Sequence, residues 1–369
     1  MASPAYLPRE SFGALFEALR AEGYHCVGPL ERDGAIVYER IDSVDQLPHG
    51  VRDRQSPGAY RLEASDEGRY FAWANGPQAL KPRVFAPREV VWRAHRDTDD
   101  GSLRFESPAP EAEPLAVLGV RACDLAALGL QDRHFLEGGS PDPSYTARRG
   151  QLFLIAVHCT HPAQTCFCAS TGDGPRAEAG YDMALSELDE GFLVEAASAR
   201  GEAVMQRLPL GAATGEQRRR AADEIDAAAR AQQRALPSRD LRAPLFANLE
   251  HPRWQEVAAR CLSCGNCTSV CPTCFCSNQE ESGGLELATS EHVREWDSCF
   301  SAQHSYIHGI VIRTDTRARY RQWLTHKLGG WHDQFGRSGC VGCGRCITWC
   351  PVGIDITEEA AAIAGGEGA

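Results

Sequence analysis

Two runs of cysteines constrain this chain more than any other feature of its sequence. Both runs have the pattern C-x2-C-x2-C-x3-C-P, in the segments CLSCGNCTSVCP and CVGCGRCITWCP. The second run repeats the first at a constant offset of 79 residues. The eight cysteines are Cys261, Cys264, Cys267, Cys271, Cys340, Cys343, Cys346 and Cys350.

The spacing within each run is typical of two-cluster ferredoxins. Thiolates are soft ligands that suit iron–sulfur clusters. Three cysteines at two-residue spacing reach three corners of one cubane, and the fourth reaches the other cluster. The sequence therefore predicts two [4Fe–4S] clusters whose ligands cross between the runs. The predicted ligands of cluster one are Cys261, Cys264, Cys267 and Cys350, and those of cluster two are Cys340, Cys343, Cys346 and Cys271.

Zinc and disulfides are the alternatives for so many cysteines, and the sequence favours neither. Zinc sites prefer two separated cysteine pairs to three cysteines at consecutive two-residue spacings. Disulfides need an oxidising compartment. The first residues, MASPAYLPRE, lack the basic and apolar regions of a secretory signal. A cytoplasmic, reducing location is therefore expected, where the 16 cysteines serve mainly as metal ligands.

Charge and hydropathy exclude two classes of partner. The formal net charge is −12, so the chain lacks the basic surface that binds nucleic acid or anionic membranes. It also lacks an apolar run of about 18 or more residues, which a transmembrane helix requires. We therefore predict binding neither to nucleic acid nor to a membrane.

A chain of 369 residues is expected to form two domains. The first, at 1–240, is predicted to be α/β or α+β. Within it, the apolar segment 113–120 is predicted to be a buried strand that a helix follows, and 151–159 a second such strand. We also expect an opening helix at 11–23.

The second domain, at 250–360, is predicted to be an α-helical dicluster ferredoxin domain. The proline-containing stretch 238–252 is the expected linker to it. Between Cys271 and Cys340 lie 68 residues, far more than a compact ferredoxin needs, and much of this insert is predicted to be helical.

Four further cysteines suggest a third cluster in the first domain. Ligands collect at the carboxyl edge of α/β sheets, and two predicted strands end just before cysteines. If both strands belong to one sheet, their loops meet there. The alternative is a set of thiols without metal, since buried free cysteine is common. The candidate ligands are Cys123, Cys159, Cys166 and Cys168.

Three cysteines remain near the first run, at Cys274, Cys276 and Cys299. They are too few to hold a fourth cubane, so we interpret them as structural thiols; the alternative is that they line the cluster environment or supply a substitute ligand. The sequence also has no dinucleotide-binding G-x-G-x-x-G after a strand, no Walker loop, no H-E-x-x-H and no nucleophile elbow. These absences favour an electron carrier that is not catalytic alone.

The combination of motifs resembles a known family. Its elements are GVRACDLAAL, the CFC group with its upstream cysteine, CLSCGNCTSVCPTCFC, REWDSC and CVGCGRCITWCPVGIDI. Together they look like the β subunit of cytoplasmic NAD(P)-linked sulfhydrogenases, which are bidirectional NiFe hydrogenases. They are also similar to the iron–sulfur electron-transfer subunit of anaerobic sulfite reductase. The resemblance extends from about Val117 to Ile356.

The resemblance implies an electron-transfer component of a larger oxidoreductase. In the sulfhydrogenase case its partners would be a large NiFe subunit, a small iron–sulfur subunit and a flavin subunit that handles NAD(P)(H). In the sulfite reductase case the terminal partner would be a sirohaem subunit. The residues do not distinguish the two, nor do they give the cluster potentials or the direction of electron flow.

Overall fold

The computed structural model describes residues 4–283 and 288–365. In those residues the strands are β1 (Ala5–Pro8), β2 (His25–Arg32), β3 (Ala35–Arg40), β4 (Val51–Ser56), β5 (Ala59–Ala64), β6 (Arg88–Arg96), β7 (Leu103–Glu106), β8 (Leu115–Val120), β9 (Leu152–Val157), β10 (Met183–Glu187), β11 (Gly191–Ala196), β12 (Gly211–Ala212), β13 (Ser277–Gly283), β14 (Thr289–Trp296), β15 (Tyr306–Ile307) and β16 (Ile310–Val311).

Helices, most of them short, alternate with these strands along the chain. They are α1 (Ala14–Ala21), α2 (Lys81–Val84), α3 (Ala122–Phe135), α4 (Pro143–Gln151), α5 (Cys168–Thr171), α6 (Ala199–Met205), α7 (Gly215–Ala231), α8 (Arg242–Ala247), α9 (Arg253–Arg260), α10 (Asn266–Ser269), α11 (Thr316–Thr325), α12 (Trp331–Phe335), α13 (Arg345–Thr348) and α14 (Ile356–Ala364). A π-helical turn, His326–Gly330, joins α11 to α12. None of the described helices is long and apolar enough to cross a membrane.

The first region is built on a mixed eight-stranded sheet in the order β12-β1-β11-β10-β9-β8-β2-β3. Its centre is parallel, since β8 pairs in parallel with both β9 and β2, and β9 with β10. Strands β8 and β9 are buried along their whole length, as expected for strands covered on both faces. The prediction of a mixed α/β first region with two buried strands is confirmed.

A second sheet joins the two predicted domains. Its order is β13-β14-β6-β7, so a hairpin of the insert and a hairpin of the first region join through the pairing of β14 with β6. Strand β14 pairs antiparallel with β6 from Thr289 opposite His95 to Glu295 opposite Arg88. The insert is thus only partly helical: its first half forms strands, and its second half forms α11, the π-helical turn and α12.

Two other expectations also differ in detail from the structure. The stretch predicted as a linker contains α8, whose Leu245 is fully buried in the core of the second region. The opening helix is shorter than predicted and starts at Ala14, after a 3-10 turn at Arg9–Ser11. Tertiary burial, which a short window of sequence does not reveal, decides both cases.

Candidate iron–sulfur centres

The first cysteine run surrounds a cavity of about 440 Å³. The run forms a tight loop between α9 and α10, with Ser263 and Gly265 at positive φ. The cavity also contains Cys350 from the second run, as the predicted crossing requires. Its lining cysteines are Cys261, Cys264, Cys267, Cys346 and Cys350.

Two buried donors indicate that this cavity suits a group rich in hydrogen-bond acceptors. The Tyr320 hydroxyl and the Trp323 indole N–H are buried, and neither has a hydrogen-bond partner among the described residues. Both side chains line the cavity. A buried donor without a partner is costly, and the sulfurs of an iron–sulfur cluster would accept from it. The residues present therefore fit such a cluster.

Backbone N–H groups already point at several cysteine sulfurs. Ser263 N lies 3.4 Å from Cys261 Sγ, and Ile354 N lies 3.3 Å from Cys350 Sγ. In the second run, Gly342 N lies 3.5 Å from Cys340 Sγ. Hydrogen bonds to the sulfurs stabilise thiolates and help to set the potential of a bound cluster.

The second run forms a similar loop before α13, and Cys271 lies beside it. Burial, with smaller contributions from the neighbouring thiols of Cys343 and Cys271, raises the pKa of Cys340 to about 12. Burial raises the pKa of Cys346 most, and the thiols of Cys340, Cys343 and Cys271 contribute in the same direction. Thiols this close repel one another when charged, which metal binding relieves. The structure thus brings the four predicted ligands of cluster two together.

The carboxyl edge of the large sheet carries a second cavity, of about 430 Å³. Cys123 follows β8, and Cys159 follows the adjacent strand β9, so their loops meet as expected. The CFC loop closes the cavity from the other side. Its lining cysteines are Cys123, Cys159, Cys166, Cys168 and Cys343.

This second cavity also contains an unsatisfied cation. Arg121 is 3% exposed, and its guanidinium donates to the carbonyls of Phe71 and Trp73. Its Nε has no partner in the part of the chain that the structure describes. A buried positive charge needs an anionic neighbour, and a cluster held by four thiolates would supply one. These residues therefore also fit an iron–sulfur cluster.

The second run lies between the two cavities, since Cys346 borders the first and Cys343 the second. Its backbone packs directly on the CFC loop: Phe167 N donates to Gly342 O at 2.8 Å. Gly342 has a φ of +63°, and a Cβ there would lie 2.6 Å from the backbone N of Cys168. Only glycine allows so close an approach, so the glycines between the cysteines fix this contact as well as the loop.

A buried ion pair crosses the same contact. Arg345, two residues after Cys343, donates to both carboxylate oxygens of Asp124, at 2.8 and 3.0 Å. Each residue is 2% exposed, and Asn75 donates a further hydrogen bond to the carboxylate. Asp124 directly follows Cys123, so the pair joins the second run to the first-domain site. Sequence analysis gave no role to either residue.

The cysteines interpreted as structural thiols lie near Cys271, together with two lysines. The pKa of Cys271 lies well below its ordinary value, because Cys274 donates a hydrogen bond to it and the Lys327 ammonium stabilises the thiolate. Lys327 and Lys81 are 3% and 4% exposed. Sequence analysis missed both lysines, although a signal existed, since they are the only two lysines in the chain.

Cys276 and Cys299 lie in the same neighbourhood. After burial, the main influence that raises the pKa of Cys299 to about 12 is Cys276. Among the described residues, no group of three or more His, Cys, Asp or Glu side chains is arranged to hold a single metal ion. Structural thiols remain the interpretation of these cysteines.

Comparison with known proteins agrees with this arrangement. Residues 260–354 match the model of the 4Fe-4S dicluster domain. Sulfhydrogenase 2 subunit beta from Pyrococcus furiosus is 29% identical over 95% of this chain and 95% of its own length. No solved structure matches the chain significantly. The resemblance to a sulfhydrogenase β subunit is confirmed, and the dicluster domain implies that the chain binds iron–sulfur clusters.

Proposed function

We propose that this chain is the electron-transfer subunit of a NAD(P)-linked NiFe hydrogenase of the sulfhydrogenase type, with three [4Fe–4S] clusters. The observation that carries the proposal is the order of the cysteine sites. The first-run cavity, the second run and the sheet-edge cavity follow one another through shared walls at Cys346 and Cys343. Such a row suits electron relay between partner subunits.

The proposed ligands follow the sequence prediction. Cluster one takes Cys261, Cys264, Cys267 and Cys350; cluster two takes Cys340, Cys343, Cys346 and Cys271; and cluster three takes Cys123, Cys159, Cys166 and Cys168. When bound, such clusters supply one-electron carriers whose potentials depend on charge, hydrogen bonds and solvent exposure.

The residues of this chain have three tasks in the relay. The cysteines bind the clusters, and the backbone N–H groups orient the sulfurs. Apolar walls such as Phe300 and Ile356 exclude water from the first cavity. The Gly342 contact and the Arg345–Asp124 pair hold the second and third sites at a fixed separation.

The first site is the proposed exit to a partner. Cys264 is exposed, and Leu262 beside it is 63% exposed although it is apolar. Val352, also exposed, lines the same cavity, and apolar side chains grouped on the surface beside a ligand suit contact with another protein. We therefore expect this loop to contact one of the partner subunits. The name of the relative indicates a complex with hydrogenase subunits.

Iron and acid-labile sulfide per chain test the proposal directly. Anaerobically purified protein should contain about twelve of each, corresponding to three [4Fe–4S] clusters. About eight would limit the clusters to the dicluster domain and leave the sheet-edge cysteines as thiols. Stoichiometric zinc and a colourless protein would contradict an electron-transfer role.

The native complex tests the assignment to a hydrogenase. The chain should co-purify with a protein that contains nickel, and the complex should reduce NAD(P)+ with hydrogen. Isolation with a sirohaem protein and sulfite reduction would instead assign the chain to the sulfite reductase family that it also resembles.

A further inference from the structure

The two lysines of this chain are placed very unusually. The sequence contains 38 lysine and arginine residues, of which only Lys81 and Lys327 are lysines. Lysine is normally among the most exposed residue types, yet both are at least 96% buried. They come from distant parts of the chain, α2 and the π-helical turn, and meet at the segment around Cys271. Apart from histidine, every other basic position in the chain is arginine, so these two lysines stand apart in type as well as in burial.

The Lys327 ammonium points at the Cys271 side of the second site. Its Nζ donates to Thr273 Oγ1 at 2.8 Å, and that hydroxyl lies 3.2 Å from Cys271 Sγ. The Nζ also lies 4.5 Å from the ring centroid of Trp331. The π-helical turn that carries Lys327 is a rare conformation that occurs frequently at functional sites.

The Lys81 ammonium approaches the same segment from the first region. Its Nζ lies 3.3 Å from Ser269 O and 3.4 Å from Cys271 O. It also lies 3.7 Å from the ring centroid of Trp296. Both lysines thus contact neutral oxygens and aromatic faces around one predicted ligand of cluster two.

Neither ammonium has a carboxylate to neutralise it. Within residues 4–283 and 288–365, no aspartate or glutamate oxygen lies within 4.0 Å of either Nζ. A buried charge without a counter-ion is strongly unfavourable. Four thiolates leave a bound [4Fe–4S] cluster with net negative charge, so a cluster at Cys271 is the counter-ion that these lysines lack.

The first site has the opposite electrostatic character. Among the described residues, no charged side chain lines its cavity, whose polar lining groups are thiols, an amide, a hydroxyl and an indole. A nearby positive charge favours the reduced form of a cluster, since reduction adds a negative charge. The effect is large in a dry interior, where the effective dielectric constant is low.

We propose that Lys81 and Lys327 hold cluster two at a higher reduction potential than cluster one, so that an electron in the dicluster unit resides mainly on cluster two. This inference rests on the proposed function. The reduction adds one electron to the cluster, and the electron and charge balance needs no proton from either lysine. The lysines act by position and charge and bind no substrate.

A redox titration of the full chain, followed by electron paramagnetic resonance, tests the proposal. In Lys327→Met, which keeps most of the apolar stem and removes the charge, one signal should become harder to reduce. We expect its ratio of reduced to oxidised form at a fixed potential to fall about tenfold, or about 59 mV for one electron. The other signals should keep their midpoints.

Three further variants keep the test decisive. Lys327→Arg retains a diffuse charge and should recover part of the shift, whereas a purely structural lysine would give no recovery. Lys81→Met should shift the same signal in the same direction, and it carries the test if Lys327→Met loses iron. Arg54→Met removes a charge whose side chain is 71% exposed and should shift nothing, because solvent screens that charge.

The result that overturns the proposal is an unchanged midpoint in both methionine variants with full iron content. An equal shift of all signals would also overturn it, because the lysines would then not distinguish the two clusters. Failure of the cluster assignment in the proposed function looks different, since the unmodified chain would then contain no iron and give no signal to titrate, and a sirohaem partner would change the assigned complex without changing these midpoints.

Discussion

The dicluster region and the sheet-edge region collect cysteines in different ways. In the first, three cysteines of each site come from one loop, and only the fourth comes from the other run. In the second, Cys123 follows β8, whereas Cys159 and the CFC cysteines lie in the longer connection after β9, and only the sheet brings the two together. The first site is therefore visible in local spacing, and the second depends on tertiary structure.

The difference also predicts how each region depends on metal. The loops of the dicluster region are short, and its core packs directly against cysteines such as Cys267 and Cys346. The sheet-edge cysteines lie beyond the ends of strands whose core is apolar and continuous. Metal should therefore contribute to the folding of the dicluster region and much less to that of the sheet.

The largest effect should come from Cys267→Ala. The variant removes a partly buried ligand proposed for cluster one, and the protein should lose about four irons. Because metal binding contributes to folding, the dicluster region should also lose about 5 kcal/mol of stability, which for a region of this size lowers its thermal midpoint by about 20 °C or more. Iron analysis and calorimetry under anaerobic conditions measure both. An unchanged iron content would contradict the ligand assignment.

A smaller effect should follow when the contact between the two regions is broken. Arg345→Met leaves the Asp124 carboxylate buried and unpaired, which should lower the free energy of unfolding by about 3–5 kcal/mol. Chemical denaturation with intact clusters measures the change. The double variant with Asp124→Asn should recover part of the loss, because no buried charge then remains unpaired.

The exposed pair of Arg242 and Asp333 provides the matched control. Their side chains are 47% and 70% exposed, and exposed ion pairs contribute little. Arg242→Met should change the free energy of unfolding by about 0.5 kcal/mol or less. An equally small effect of Arg345→Met would show that the junction does not hold the two regions together.

The same division, between local signals and tertiary contacts, separates what the sequence predicts from what it does not. The cysteine runs, the two buried strands and the α3 helix were predictable because spacing and apolar runs are local signals. The pairing of β14 with β6 was not, since the partners lie about 200 residues apart and neither has a strong alternating pattern. The roles of Arg345 and Asp124 were hidden for the same reason, because a buried ion pair becomes visible only when both partners are placed.

The lysines are an intermediate case. Their number was visible in the sequence, but a count gives no location. Only the structure shows that Lys81, which opens a four-residue helix, and Lys327 meet at one cysteine segment. The scarcity of a residue type therefore indicates a functional position only when the structure shows where its few members lie.

The smallest effect on stability should come from Cys168→Ala, which tests the sheet-edge region alone. If the third cluster exists, the protein should lose about four irons. The thermal midpoint should fall by only a few degrees, since the apolar core of the sheet does not depend on those cysteines. Iron analysis and a thermal melt on the same anaerobic sample give both numbers.

Cys26→Ala is the control for this variant, because Cys26 is buried in the core of the same sheet and lines neither cavity. It should lose no iron and about 1 kcal/mol of stability from the small void. If Cys168→Ala behaves like Cys26→Ala, the sheet edge holds only thiols. The two regions then differ in whether their cysteines bind metal as well as in how the fold brings those cysteines together. If Cys168→Ala loses iron without unfolding, the two regions bind the same kind of cluster and differ only in what the metal does for the fold.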